Sequence, residues 1–430
     1  MNHYAQMLSQ MRRPAAMERL SRLYGHREGE LARQLTRYAN LLKTHEELFH
    51  QGGAPLYFIS APGRTEIIGN HTDHNNGRVL AAAVNLDCVA CVSPREDMTV
   101  RLCSAGYPAI ELSLSDLAPR KEEEGTSAAL VRGVAKGMQE RGFRLGGFDA
   151  AVTSDVLGGS GLSSSAAYEV MVCAILDALY NGFTCESTPR AQIAQYAENV
   201  YFGKPSGLMD QMACSTGGLV TIDFKDEPQV TPLSFGFQDA GYSLVVVNTG
   251  GSHDNLTAEY AAVRSEMQGV AEMMGEKVLR RVRPEQLWQH IPEIREKLGE
   301  RAVLRAFHFL DENKRVKDMV QAIRSGDIPA MFENIIASGE SSWMLLQNIY
   351  PAGKHQPLSL ALAMAGSMLK GKGAWRVHGG GFAGTTLNFV PNAMVDDFVR
   401  QMEQVFGVHS CFVLDVRPEG AAIVFGPDGQ

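Results

Sequence analysis

Hydrophobic residues along the chain change their period near residue 55. Ahead of it, Leu20, Leu23 and Tyr24, then Leu31, Leu35, Tyr38, Leu41 and Leu42, recur at helical spacing. Residues 1–50 are therefore expected to be helical, packing on the body of the protein or covering a cleft. From Pro55 the period is that of strands: Leu56–Ile59, Thr65–Gly69, Val79–Leu86, Val89–Val92 and Val100–Leu102. Residues 117–127 read as a polar loop, 127–141 as a helix and Phe148–Thr153 as a strand. Ala167, Val170, Met171, Ala174, Ile175, Ala178 and Leu179 then return to helical spacing. A helix is expected over 189–202, a loop over 206–216 and a strand over Leu219–Phe224.

The polar, proline-containing stretch 225–240 is the expected domain boundary. Beyond it come a buried strand, Tyr242–Asn248, long helices to about residue 350, and a helix over 357–370. A strand at Trp375–Val377, another at Thr385–Val390, a helix over 394–406 and strands over 411–416 and 421–425 close the chain. Strands and helices mix without a regular alternation, which argues for an α+β fold rather than a doubly wound sheet. The expected division is a helical extension (1–50), a first domain (51–235) and a second domain (236–430).

Composition narrows the class. A chain of 430 residues is long enough for two domains, and 45% hydrophobic with 20% charged residues suits a globular protein. The net charge of −8 argues against nucleic acid as a partner. No apolar run approaches a membrane span and the N-terminus has no apolar signal core, so a cytoplasmic location is expected. Seven scattered cysteines suit a reducing compartment. Cys88 and Cys91 form a lone CxxC in an apolar run and read as core. A monomer is expected.

Four stretches concentrate groups able to do chemistry. Gly158–Gly161, followed by Ser163, Ser164 and Ser165, puts a bend of small residues where a helix begins. Such a bend aims unpaired N–H groups at a phosphate, and serine hydroxyls there can cap the helix, donate to phosphate or ligate Mg²⁺. An ordinary capped helix after a flexible loop is the plainer reading of the same residues. Ala61 to Gly77 carries Arg64 on a strand and then a turn dense in polar groups, suited to sugar hydroxyls. His71, Asp73 and His74 also raise a metal site, but no matching ligand cluster occurs elsewhere in the chain.

The third stretch, Gly203 to Gln211, holds Asp210, with Glu198 on the helix before it. One carboxylate could take a proton from an attacking hydroxyl and the other could hold Mg²⁺, although a turn aspartate and a solvated glutamate fit the spacing as well. The fourth, Val377 to Thr386, is a glycine-rich turn between strands. Gly366–Gly373 imitates a P-loop without its Ser/Thr, and an apolar helix precedes it, which excludes that reading. No GxSxG elbow is present to make His378 and its glycines part of a serine hydrolase.

Taken in order, the four stretches resemble the motifs of the galactokinases, within the GHMP small-molecule kinases. The family's APGRVNLIGEHTDYNGG is matched by APGRTEIIGNHTDHNNG, its LGxGLSSSA by Leu157–Ala166, its GIMDQ by Gly207–Gln211, and its GGGFGGCT by Gly379–Thr386. The resemblance covers about residues 54–425. It implies a two-domain kinase, with the active site in the cleft between domains, that uses ATP and Mg²⁺ to make a sugar 1-phosphate. Arg64 would stabilise the transferring phosphoryl group and Asp210 would be the base. Gly159, Ser160, Gly161, Leu162, Ser163, Ser164 and Ser165 would wrap the ATP phosphates, while Ser165 and Glu198 would hold Mg²⁺. Glu66, Asn70, His71, Thr72, Asp73 and Tyr260 would form the sugar side.

The departures bear on the sugar. Asn70 stands where the family has glutamate, and Glu66 where it has asparagine; His74 replaces tyrosine and Ala383 glycine. If the strand runs regularly, positions 66, 68 and 70 share a face, so Glu66 and Asn70 are expected to pair. The leading expectation is a galactokinase. The alternatives are a kinase for another hexose, a hexuronic acid or a pentose, and a sugar- and ATP-binding sensor without turnover.

Overall fold

The computed structural model describes residues 3–49, 53–156, 161–251, 256–349, 354–382 and 384–427. Three helices open the chain: α1 (His3–Met11), α2 (Pro14–Tyr24) and α3 (Glu30–Phe49). They are followed by strands β1 (Tyr57–Ile68), β2 (Arg78–Pro94), β3 (Thr99–Ser104) and β4 (Ile110–Ser113). Then come α4 (Ser127–Glu140), β5 (Phe148–Ser154), α5 (Ser164–Tyr180), α6 (Ser187–Tyr196), α7 (Met209–Thr216), β6 (Leu219–Asp223) and β7 (Gln229–Leu233). The second half runs β8 (Tyr242–Asn248), α8 (Thr257–Met273), α9 (Pro284–Leu298), α10 (Glu300–Ser325), α11 (Ile328–Ser341) and α12 (Pro357–Leu369). It ends with β9 (Ala374–His378), β10 (Thr385–Pro391), α13 (Val395–Phe406), β11 (Cys411–Leu414) and β12 (Ala422–Phe425).

Two sheets organise these elements. Among the described residues the first has eight strands, in the order β12-β1-β2-β5-β3-β4, with β6 and β7 continuing off β2. The second has four, in the order β11-β8-β10-β9. Alternation along β1 and β2 gives the first sheet two apolar faces. Ile59, Cys88 and Ala90 join α4 and α5 in one core, while Phe58, Val89 and Cys91 pack on Tyr24, Tyr38 and Leu42 of the opening helices. The opening helices thus cover the apolar side chains that β1, β2, β5 and β12 present on one face. Helix α5 is apolar almost all round because it lies inside the core.

Several elements differ from the sequence reading. Each of the first two strands is continuous where two were expected. Pro62-Gly63, which falls between the two expected strands, is absorbed by a register shift between Pro62 and Arg64. Asp87, which falls between the two strands expected over this stretch, is fully buried and held by Arg37 at 2.7 Å and Arg417 at 2.8 Å. Burial opposes its charge, but the two guanidiniums and donors from Ser60 and Tyr24 keep its carboxyl below the usual range. The segment expected as a loop over 206–216 forms α7 from Met209, whose short apolar face, Met209, Met212 and Ala213, is buried. The stretch 225–240 contains β7, an edge strand too exposed to show alternation. The last strand returns to the first sheet, where β12 lies antiparallel to β1.

Candidate active site

The strand β1 places Arg64 under the glycine-serine bend. Its side chain is buried, and its geometry is fully determined. Nε donates to Asp210 Oδ1 at 2.6 Å, Nη2 to Asp210 Oδ2 at 2.7 Å, and Nη1 to the Gly161 carbonyl at 2.6 Å. The Arg64 amide also donates to Leu162 O at 3.1 Å. Asp210 sits in the first turn of α7, where a carboxylate is favoured by the helix dipole. The Ser163 hydroxyl donates to its Oδ2. Burial resists the Asp210 charge, but Arg64 and the Ser163 donor outweigh it, so the carboxyl lies below its ordinary range. Ser163 itself has φ 60° and ψ 62°, a left-handed conformation rare for serine and of the kind found at functional turns.

Helix α5 begins at Ser164, so its unpaired N–H groups face the bend. Gly161 is required there: its φ is +74°, and a Cβ would lie 2.4 Å from Thr385 Oγ1. This contact brings the fourth stretch, through Thr385 and His378, against the bend. Ser165 Oγ donates to Glu198 Oε1 at 2.9 Å. Glu198 lies in a π-helical turn, Ala197–Phe202, that widens the end of α6 and points the carboxylate inward. Lys204 Nζ holds the same Oε1 at 2.8 Å, and Gln211 Nε2 donates to Oε2 at 2.8 Å. Gln211 also reaches buried Glu169, whose carboxyl burial and the Glu198 charge push well above its ordinary range.

The turn after β1 forms the other wall. Asp73 approaches the third stretch so closely that a Cβ on Gly207 would fall on its carboxylate. Burial and the nearby Asp210 charge raise Asp73 to about 6. His71 Nε2 lies 3.1 Å from Gly380 O, and Tyr260 OH donates to Gly381 O at 2.7 Å. Both side chains therefore line the glycine turn.

Glu66 and Asn70 do meet, with Asn70 Nδ2 donating to Glu66 Oε1 at 3.1 Å. A regular strand is not the cause. Register shifts between Glu66 and Ile68, and Asn70 lies in the turn beyond the strand. Asn70 is engaged on every side: Nδ2 also donates to Gly379 O at 2.7 Å, and Oδ1 accepts from Asn348 at 2.9 Å and Ser342 at 3.3 Å. Glu66 is paired with buried Arg376 at 3.0 Å. The Thr72 hydroxyl donates to main-chain carbonyls, with Arg78 O at 2.6 Å and Gly69 O at 2.9 Å. These three expected sugar residues thus build the turn from inside. Gly159 and Ser160 lie outside the described residues.

Sequence reasoning missed the supports. Lys204 and Gln211 stood in a stretch already singled out, but spacing gave them no role. Glu312 and His308 had no signal beyond being polar in a long helix. Glu312 Oε1 accepts from the Gly69 and Asn70 amides at 2.9 and 3.2 Å, and His308 Nε2 lies 2.8 Å from Asn70 O. Together they fasten the turn to α10.

A bend opening a helix, faced by an arginine–carboxylate pair and a polar turn, suits phosphoryl transfer to a small molecule. The family signature "GHMP kinases N terminal domain" matches residues 129–218 and defines that class. "Galactokinase galactose-binding signature" matches residues 43–94. A galactokinase of Streptomyces coelicolor is 33% identical over 381 residues, covering 86% of this chain and 95% of its own. The human galactokinase is 31% identical over 405 residues, covering 90% and 97%. The crystal structure of Lactococcus lactis galactokinase complexed with galactose shares the fold, with a TM-score of 0.79 at 23% identity over 90% of this chain and 100% of that one. The chain belongs to the galactokinase family. It is a sugar kinase that forms a sugar 1-phosphate with ATP as phosphoryl donor. Among the described residues, no helix is long and apolar enough to cross a membrane.

Proposed function

We propose that the chain phosphorylates galactose at its anomeric hydroxyl, as a Mg²⁺-dependent monomer in the cytoplasm. The observation that carries this reading is the bidentate Arg64–Asp210 pair, joined by Ser163 and lying directly beneath the bend. In this reading Asp210 accepts a hydrogen bond from the anomeric hydroxyl and aims its oxygen at the γ-phosphorus. The new O–P bond forms as the bond to ADP breaks, and the hydroxyl proton passes to Asp210. A carboxylate held below its ordinary range is a weak base, which suits a loose transition state where the proton moves late. Arg64 neutralises charge on the transferring group. The amides of Gly161 to Ser165 face the phosphates.

The donor set near Ser165 suits Mg²⁺. Glu198 offers one buried carboxylate beside a serine hydroxyl, as expected for an ion carried largely by substrate phosphates. Among the described residues no group of three or more His, Cys, Asp or Glu forms a self-sufficient metal cage. Ser165 and Glu198 would hold the ion, which when bound neutralises charge on the β- and γ-oxygens. The two domains of the proposal divide near residue 235, with the cleft between the sheets as the site.

On the sugar side His71, Asp73 and Tyr260 make the contacts, while Glu66, Asn70 and Thr72 set the shape of the turn. A second reading rests on Asn70. An amide engaged on every side supplies no carboxylate to the sugar's far end, which favours a substrate altered near its 6-position. The test is ADP release with galactose, its 6-deoxy analogue, galacturonate and arabinose. The first reading gives the highest kcat/KM with galactose; the second gives it with one of the other three. No release with any of them contradicts both.

A further inference from the structure

The opening helices do more than cover the sheet. The galactokinase signature begins at residue 43, so Arg33 and Arg37 on α3 lie ahead of it. Both reach Asp155, three residues before the first of the bend's glycines: Arg33 Nη1 to Oδ2 at 2.9 Å and Arg37 Nη1 to Oδ2 at 3.2 Å. Arg37 is the better buried, with a side chain 9% exposed. It also donates to Asp87 O at 3.0 Å and Thr153 O at 3.4 Å, and the Asp155 amide donates to the same Asp87 carbonyl at 2.9 Å. One guanidinium therefore ties α3, β2 and the end of β5 together where β5 runs into the bend.

The described residues on either side of the bend, Val156 and Leu162, both contact β1. The near leg reaches it through Val156, whose Cγ2 would lie 3.1 Å from a Cβ on Gly63. The far leg reaches it through Leu162 O, which accepts the Arg64 amide. A shift of Asp155 therefore moves the near leg against the strand that carries Arg64. We propose that α3, through Arg33 and Arg37 on Asp155, is a brace that holds the end of β5 against the Arg64 strand and so positions Gly161–Ser165, which that strand also contacts, for the nucleotide phosphates. These are positioning residues, since they act through the loop and not on substrate. The proposal rests on the bend being the ATP phosphate site.

Deleting the extension exposes the apolar face that Phe58 and Val89 share with it, so point variants are the proper probe. In the full chain, Asp155→Asn is expected to raise ATP KM, and the calorimetric Kd for ADP, by about threefold to thirtyfold. Sugar KM is expected to stay within about twofold. Asp155→Glu is expected to recover part of the loss. Arg19→Gln is the control: Arg19 pairs with Glu419 at 2.5 Å, tying the same extension to the body away from the bend. It is expected to lower Tm without changing ATP KM. Asp155→Asn matching the parent in both nucleotide measurements overturns the brace. So does an equal loss of nucleotide affinity in Arg19→Gln. A parent protein that binds no nucleotide overturns the ATP-site assignment beneath it.

Discussion

Arg64 and Asp210, 146 positions apart in the chain, close a two-bond pair of 2.6 and 2.7 Å under the bend. The pairing sets both partners: the guanidinium keeps the carboxylate ionised, and the carboxylate fixes which guanidinium nitrogen remains on Gly161. Asp210→Asn keeps the shape and removes the charge. Its kcat is expected to fall by about 10²–10⁴, with the Kd for ADP unchanged within about threefold. Equal losses in rate and nucleotide affinity contradict the assigned role.

Glu66 and Asn70 are expected to be strongly coupled. Glu66→Asn leaves Arg376 as a buried, unpaired charge, a change that costs about 3–5 kcal/mol in comparable sites. Asn70→Glu places two carboxylates side by side. The exchange of both residues restores one carboxylate near Arg376, so the double variant is expected to be more stable than the sum of the singles by at least about 1 kcal/mol. Urea unfolding of the three variants measures this, and additive effects contradict it.

Asp73 supplies the pH dependence. Burial and the Asp210 charge raise it to about 6, so it is a charged acceptor above that pH and a neutral acid below it, and in the proposed site that change falls on the sugar side. Sugar KM is therefore expected to rise as pH falls through about 6. In Asp73→Asn that acid limb is expected to disappear and the KM to be high throughout. An acid limb that survives the substitution contradicts the assignment.

Glu312 is expected to anchor acid stability. Its carboxyl is fully buried, but His308, Arg376, Arg315 and Ser338 lower it to about 2 from an ordinary 4.5. A depressed carboxylate contributes stability above its unfolded pKa and loses it as pH falls toward the folded value. Glu312→Gln is expected to lower stability at pH 7 and to narrow the difference from the parent below pH 4.5, as followed by denaturant midpoints.

The contrast between what the sequence showed and what it hid follows from how local each signal is. The bend, the Arg64 strand and the Asp210 loop were legible because glycines, serines and charged residues cluster within a few positions. The outlines of α5, β5 and β8 were legible because apolar periodicity is local too. Helix α7 was hidden because Asp210, Gln211 and Ser215 interrupt its short apolar face. The continuity of β2 was hidden because Asp87 looks like an exposed break until Arg37 and Arg417, from the two ends of the chain, meet it. The structural partners of Asn70 and Thr72 were hidden for the same reason. Their partners, Ser342, Asn348 and Gly379 for one and backbone carbonyls for the other, appear only once the chain is folded.

Lys204 and Ser165 share one oxygen of Glu198. In the proposed Mg²⁺ site an incoming cation would compete with the ammonium for it. Lys204→Met is expected to lower the half-saturating Mg²⁺ concentration up to about fivefold, the range of an exposed ion pair. Glu198→Gln is expected to raise it. Magnesium titration at fixed ATP separates the two; parallel shifts contradict the shared ligand.

The most direct measurement follows the transferred phosphoryl group itself. Free sugar, ATP and Mg²⁺ are incubated with the parent protein and with Asp210→Asn, and products are read by phosphorus NMR. The account predicts one sugar 1-phosphate per ADP formed by the parent, and both products forming at least about a hundredfold more slowly with the variant although both ligands still bind. Phosphate appearing on another hydroxyl, or sugar and nucleotide binding to the parent without ADP formation, contradicts it.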